Sequence, residues 1–365
     1  MNWNLSRAEA AVVVVVLAFA GALLPPSLLH AHASSRRGQC INNLKGVGLA
    51  AMAWATRHGG ALPYLSGVVH DADPDDGRDL AAGDVFLTVS RAGEPVERIP
   101  AGWPVTIMPE YDQTALFEAL QDAVVGGNGT ASSDLRMLVH TNVPGFTCPD
   151  DATADRGGSI SYVANAGVVP ESAWRGRRAV SLIGTGWRGA RSFEDRVRVS
   201  LAAGVFVRPG VAAYARGGPR LFDRRQTLDA VSRGDGVTRT LMFSENLAAG
   251  LWWRPRLGDV GFAWAASDDR RFVRPASRPG GFGDERGPLA AGRFRPNVPW
   301  RPGGTAAEGA APRPSSNHPD GAVLCVFCDG HAEPLSPRID PSVYVRLVTP
   351  RGEAFGEEPL HAGDF

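Results

Sequence analysis

The chain lacks a net charge: 38 lysines and arginines stand against 38 aspartates and glutamates, and the pI is near 7.1. A nucleic-acid-binding module should show a clear basic excess, so no nucleic-acid partner is expected. Lysine itself is nearly missing, since Lys45 is the only one. The arginines that take its place form no basic run, and they are read as a bias of composition. Catalytic signatures are missing too. No G-x-S-x-G, H-E-x-x-H, P-loop or strand-linked G-x-G-x-x-G occurs, and each of these would place a nucleophile, a metal or a phosphate in a defined backbone setting. No catalytic residue, no metal and no cofactor is therefore expected, and the protein is read as a non-enzyme. No internal repeat at solenoid periods is found.

What is present begins with size. The 365 residues allow two or three domains, or one large domain with insertions. Hydrophobic residues at 44% suffice to bury a core, while 44 glycines and 28 prolines point to a turn-rich, β-leaning body. Near the start, Ala10 to Leu24 is an uninterrupted apolar run with five consecutive valines, Val12 to Val16. Pro25-Pro26 closes it and Leu28-Leu29 extend it slightly. The run lies between a signal-peptide core and the ~20 residues of a full span, which leaves three readings. It is a cleaved secretory signal, with Arg7 as the charged region and Ala31-His32-Ala33 as the cleavage site before Ser34. It is an uncleaved anchor, with some bilayer thinning making up the length. Or it is the stem of a pilin-like protein, carrying one acid near its start and running on into an amphipathic helix.

Glu9 weighs toward the third, because a carboxylate at the edge of a hydrocarbon segment is costly without a partner. The stretch after the prolines weighs the same way. Leu44, Val47, Ala51, Trp54, Ala55 and His58 recur at three- and four-residue spacing, which predicts an amphipathic helix from about Arg36 to Arg57. Gly59-Gly60 and Pro63 stop it. One helix from about Ser6 to Arg57 is expected, with Pro25-Pro26 as the place for a kink. Arg7 on one side of the run and Arg36-Arg37 on the other give the positive-inside rule no preferred orientation.

Beyond Pro63, Leu116, Phe117, Leu120 and Val124 predict a short helix over Thr114–Val124. Val85–Val89, Val197–Val207, Thr240–Phe243 and Ala322–Phe327 read as strands rich in β-branched and aromatic residues. Arg175–Arg191, Arg208–Arg220 and Arg270–Arg313 read as long Gly-, Pro- and Arg-rich loops. Asp329-Gly330 predicts a two-residue type I′ turn joining Ala322–Cys328 to His331–Leu335, a structural role for both residues. His318, ahead of a proline, reads as a turn or packing residue. Asp71 to Gly77 suggests a calcium loop, but Asp76 stands where the loop glycine belongs and Ala82 where its last glutamate belongs. A solvated acidic turn is the better reading.

The four cysteines, Cys40, Cys148, Cys325 and Cys328, suit an exported protein. Cys325 and Cys328 spell C-x-x-C inside a strand, where three residues put the Cα atoms about 10 Å apart and on opposite faces. A disulfide spans at most ~7 Å, and a zinc site lacks its second pair. Cys40 with Cys148 is the expected disulfide, tying the helix to the loop after Thr114–Val124, although spacing alone does not fix the pairing.

Six ordered blocks carry a family resemblance. They are Cys40-Ile41-Asn42-Asn43-Leu44-Lys45 in the helix, Trp103 to Gln113, and Phe146-Thr147-Cys148-Pro149-Asp150-Asp151 followed by Ser161 to Asn165. Next come Gly234 to Leu241 with Ser244-Glu245-Asn246, then Ser316 to Gly321 leading to Cys328-Asp329-Gly330-His331, then Tyr344 to Pro350. Together they resemble the prepilin-like, pseudopilin-like proteins of domain of unknown function 1559, known by a C-terminal H-x9-DG motif. Within that resemblance His318, Cys148, Asn165 and Glu245 are motif residues. Two departures stand out. Asn4 occupies the position of the glycine at which prepilins are cut, with Leu5 as the mature start. Ten residues, not nine, separate His318 from Asp329, so a bulge or a longer turn is expected there.

The resemblance and the patterning together give an α+β fold, with a pilin-like N-terminal helix packed on a mainly antiparallel sheet carrying long loops. Residues 1–33 form the hydrophobic stem and 34–365 a single exported domain with insertions. The leading functional expectation is a membrane-anchored pseudopilin-like protein of a secretion or surface-fibre apparatus, partnered by the membrane and by itself or other pilin-like subunits through Glu9. The runner-up is an exported soluble binding protein released by cleavage after Ala33. Third is an exported metal-dependent enzyme using His318, Cys328 and His331.

Overall fold

A computed structural model describes residues 6–66, 87–89, 97–99, 102–125, 137–154, 157–170, 193–208, 210–212, 220–222, 224–254, 257–266, 313–355 and 360. The first element, α1 (Arg7–Arg57), opens on a capping box: Glu9 N donates to Ser6 Oγ at 3.3 Å, and Ser6 N donates to Glu9 Oε2 at 2.8 Å. It ends where His58 N and Gly60 N both donate to Ala55 O, at 2.9 and 2.8 Å. Gly59 and Gly60 there take φ of +66° and +83°, which glycine adopts without strain. Cys40, Leu44, Val47, Ala51, Trp54 and Ala55 form its buried stripe, the face that the spacing predicts. Among the described residues no helix is long and apolar enough to cross a membrane.

β1 (Leu87–Val89) and β2 (Glu97–Ile99) pair antiparallel away from the main sheet. α2 (Trp103–Thr106) and α3 (Thr114–Val125) come next. The main sheet takes β3 (Tyr162–Pro170) and, after a small pair β4 (Gly210–Ala212) and β5 (Arg220–Phe222), four further strands. These are β6 (Leu241–Glu245), β7 (Gly261–Ala266), β8 (Val323–Phe327) and β9 (Ala332–Leu335), in the order β7-β3-β6-β8-β9. β3 and β7 run parallel and the other pairs antiparallel. The class is α+β with a mixed, mainly antiparallel sheet.

The sheet is covered on both faces. One core joins the α1 stripe to Tyr162, Ala164, Met242, Phe243, Leu324, Val326 and Cys328. A second, on the far side, joins Val163, Leu241, Phe262, Trp264, Val323, Cys325 and Phe327 to α7 (Pro341–Val348). The alternation along β8 is strict, with Val323, Cys325 and Phe327 on one side and Leu324 and Val326 on the other. β6 breaks it. Its register shifts between Leu241 and Phe243, and this bulge lets Met242 and Phe243 both enter the α1 core.

Two expectations are corrected. Val197–Val207 is not a strand: α4 (Phe193–Ala203) occupies most of it. The period-two valines mislead because burial follows the helical spacing of Val197, Ser200 and Ala203. The hairpin turn is not type I′. Phe327 N donates to His331 O and Gly330 N to Phe327 O, both at 2.9 Å, so the loop is Cys328-Asp329-Gly330. Gly330 alone of the three has positive φ, at +86°, the three-residue hairpin of a type I turn followed by a left-handed glycine. Asp329 Oδ1 accepts from His331 N at 3.0 Å, so both residues shape the turn. α5 (Leu228–Ser232) and α6 (Leu257–Val260) complete the described helices. The Asp71–Gly77 acidic stretch, Arg175–Arg191 and nearly all of Arg270–Arg313 lie outside the described residues, as do Val85 and Phe86.

Candidate functional site

Parts of several sequence blocks meet at the seat of α1 on the domain. Cys40 and Cys148 are joined in a disulfide with Cα atoms 4.8 Å apart, closing a sequence separation of 108. Around it, Tyr162 OH donates to Cys40 O at 3.0 Å, and Asn43 Nδ2 donates to Thr147 O at 3.0 Å. Tyr111 OH donates to Gly145 O at 3.0 Å. Further along, α1 needs Gly48, where a Cβ would lie 2.7 Å from Val326 Cγ1.

Beside the disulfide sits His318, its side chain fully buried. Its Nδ1 lies 3.1 Å from Asp150 Oδ2 and its Nε2 lies 3.1 Å from Glu245 Oε1. Glu245 Oε2 accepts from Leu324 N at 3.0 Å. The loop that presents His318 is itself held. Ser315 N donates to Glu245 O at 3.0 Å, Ser316 Oγ donates to Ala322 O at 2.6 Å, and Gly321 N donates to His318 O at 2.9 Å. An imidazolium satisfies both carboxylates at once. Burial opposes that charge, but the Glu245 hydrogen bond and the charges of Glu245 and Asp150 outweigh it and hold the His318 pKa above its ordinary value. Burial also raises the Glu245 pKa, more than its bonds to His318 and Leu324 lower it. At the rim, Arg37 Nη1 contacts Asp320 Oδ2 at 2.5 Å and Arg36 Nη1 reaches Asp150 Oδ1 at 3.9 Å.

Of the expected site residues, Cys40, Cys148, Glu245 and His318 come together here, their ligand atoms all within 4.8 Å of one another. Asn165 is elsewhere, on the opposite face of the sheet: its Nδ2 donates to Leu241 O at 2.7 Å and Val348 O at 2.8 Å. Glu9 sits at the start of α1 in its capping box. The grouping of His318 with Cys328 and His331 is corrected. Cys328 is buried in the α1 core, and His331 stays at the hairpin, stacked on Phe327 at 4.2 Å with Nδ1 2.5 Å from Asp329 Oδ1. Cys325 and Cys328 are free, buried and in different cores, with burial pushing both thiols far up. Asp150, Arg36, Arg37 and Asp320 escape a sequence reading. For Asp150 and Asp320 the available signal is their place inside the Phe146–Asp151 and Ser316–Gly321 blocks.

The fold and the site thus define an α+β protein in which a long helix is bound to a mixed sheet by a disulfide and a buried charged cluster. Over residues 30–342 the chain matches the family described as Protein of unknown function (DUF1559), and it belongs to that family. No curated protein and no solved structure matches it.

Proposed function

We propose that this is a non-enzymatic, pseudopilin-like protein held in the membrane by its N-terminal stem, with residues 34–365 exported. One observation carries the reading: a single helix, Arg7–Arg57, joins an apolar end to a docked end. Val12 to Val16 on it are 46–66% exposed, whereas its stretch from Cys40 onward is tied to the domain by the disulfide and the charged cluster. Such a helix connects an apolar stem directly to the body it carries. Arg36 and Arg37 pair with Asp150 and Asp320, so they belong with the exported domain and do not vote on orientation. A non-catalytic role for His318 is supported by its burial and by the carboxylate on each ring nitrogen.

Self-association through Glu9 is part of this proposal. In an assembled stem the carboxylate would exchange its Ser6 bonds for the amine of a neighbouring subunit. Glu9→Gln isolates the charge, because glutamine also serves at this position of a capping box. Fractionation and crosslinking of the wild type and this variant test the reading. Both proteins are expected in the membrane fraction, with crosslinked multimers reduced in the variant. Equal crosslinking would remove the assembly role. A soluble exported protein starting at Ser34 would overturn anchoring in favour of a released binding protein.

A further inference from the structure

We infer that Cys40, Cys148, Glu245 and His318 form a redox-gated site for Zn²⁺, closed to metal while the disulfide stands and open once it is reduced. The donor set is the starting point. Two cysteine sulfurs, one imidazole and one carboxylate converge within 4.8 Å of one another and all four residues are buried. With Zn–S near ~2.3 Å and Zn–N and Zn–O near ~2.0–2.2 Å, the edges of a tetrahedral site run about 3.3–3.8 Å. Small side-chain rotations reach that geometry from the separations present. Two sulfurs and two harder donors suit zinc better than magnesium or calcium, which take oxygen cages.

A second observation, independent of the cysteines, points the same way. Histidines that ligate zinc characteristically give their other ring nitrogen to a carboxylate, which fixes the tautomer and aims the ring. His318 has that arrangement ready: Asp150 Oδ2 holds Nδ1 at 3.1 Å, while Nε2 faces Glu245 Oε1 at 3.1 Å. Glu245 is aimed in turn by Leu324 N on its other oxygen. Zinc entering between Nε2 and Oε1 replaces one hydrogen bond by two metal bonds and leaves both outer supports in place. Two thiolates and a carboxylate give the zinc complex a net charge of minus one, and Arg36, 3.9 Å from Asp150, lies on the side that balances it.

The redox step is a two-electron exchange. A dithiol reductant gives two electrons and two protons to the sulfur–sulfur bond, yielding the Cys40 and Cys148 thiols and becoming a disulfide itself. Each thiol then loses its proton to solvent as zinc binds, since the thiolate is the ligand. In the reverse step a disulfide oxidant takes two electrons from the two thiolates and two protons from solvent, becoming a dithiol, while the Cys40–Cys148 bond re-forms and Zn²⁺ is released. The disulfide fastens α1 to the Cys148 segment, and zinc would fasten the same two parts together with β6 through Glu245 and the 315–321 loop through His318. A chain whose thiols have not yet been oxidised therefore still has a way to seat its helix.

The test uses the full chain in two states, oxidised and reduced with a phosphine during refolding, each offered Zn²⁺ or Co²⁺ and then desalted. About one metal per reduced chain is expected and none per oxidised chain. Cobalt should show tetrahedral d–d bands with a thiolate charge-transfer band. Cys325→Ala/Cys328→Ala should bind unchanged, Cys40→Ser/Cys148→Ser not at all, and Asp150→Asn about 10–100-fold more weakly, as for an outer-shell partner. Reduced protein that folds without taking metal would overturn the inference. So would reduced protein that stays unfolded despite zinc, or metal retained by the Cys40→Ser/Cys148→Ser variant.

Discussion

On the α1 side of the sheet, Leu44, Val47 and Trp54 meet Met242, Leu324 and Val326, and the contact is crossed by a disulfide and a buried Asp–His–Glu cluster. On the α7 side, Tyr344, Val345, Leu347 and Val348 meet Leu241, Trp264, Val323 and Phe327, with the neutral amide of Asn165 as its cross-tie to Val348 O. Both faces bury large apolar side chains, so hydrophobic burial alone does not distinguish them. The difference lies in what each helix must resist. α7 is one short helix continuous with the body, and packing holds it. α1 extends well past the sheet, so any pull on its far end acts on the joint. A covalent tie and a charged cluster are directional and resist sliding, which apolar contact does poorly.

The largest effect that would break the comparison is expected at His318. His318→Leu leaves Glu245 buried with only the Leu324 N–H and removes the bond to Asp150. Stripping one partner from a buried charged pair typically costs about 3–5 kcal/mol, which thermal unfolding would register as a fall of several degrees in Tm. The pH dependence has a definite sign. A folded-state His318 pKa held above its ordinary 6.5 gives stability that is complete below pH ~6.5 and is lost as pH rises through the raised value. The Tm gap between wild type and Glu245→Gln should therefore narrow toward alkaline pH. A gap that widens would show His318 to be neutral in the folded protein, and the joint would not be a charged one.

Gly330→Val comes next. Its φ of +86° resists a β-branched residue, and a Cβ there would lie 3.1 Å from Met52 Sδ on α1. A loss of about 1–3 kcal/mol is expected from the backbone strain. Gly330→Ala, which shares the Met52 contact but not the branching, should lose less. Equal losses for the two would locate the cost in what they share, a Cβ at positive φ and its contact with Met52, and not in the branching.

Much of this is legible in the sequence, and the reason differs by feature. The buried stripe of α1 can be read because a 3.6 period over several turns has few alternatives. β8 can be read from its unbroken apolar run, since a strand covered on both faces has no polar side to mark, and β6 from Leu241–Phe243 at its start. The C-x-x-C can be excluded as a disulfide by strand geometry alone, and the structure places its two thiols in opposite cores. The Val197–Val207 segment misleads because a short run of alternating valines fits a strand as well as a helix that buries every third or fourth residue. The His318 cluster is not legible as chemistry. Asp150, Glu245 and His318 are brought together across separations of 73 and 168 residues, and no local pattern encodes such a meeting. Only their shared membership of family blocks hints at it.

The smallest expected effect sharpens the comparison from the α7 side. Tyr344 is fully buried against Trp264, with ring centroids 5.9 Å apart, and its hydroxyl has no hydrogen-bond partner among the described residues. A buried hydroxyl without a partner has lost its water and gained nothing in exchange, at a cost of about 1–3 kcal/mol in protein contexts. Tyr344→Phe removes that oxygen, keeps the ring and its packing, and leaves a void smaller than a methyl group. The two contributions oppose each other, and the net change should fall between zero and about 1 kcal/mol of added stability. Chemical denaturation of wild type and Tyr344→Phe under the same conditions measures it. If the α7 face is held by apolar packing, this variant gains slightly while His318→Leu loses heavily, although each removes polar atoms from a buried helix–sheet contact. A loss of more than about 1 kcal/mol for Tyr344→Phe would mean that the hydroxyl is bonded in solution. The α7 face would then also rely on a polar tie, and the contrast between the two helices would be one of degree.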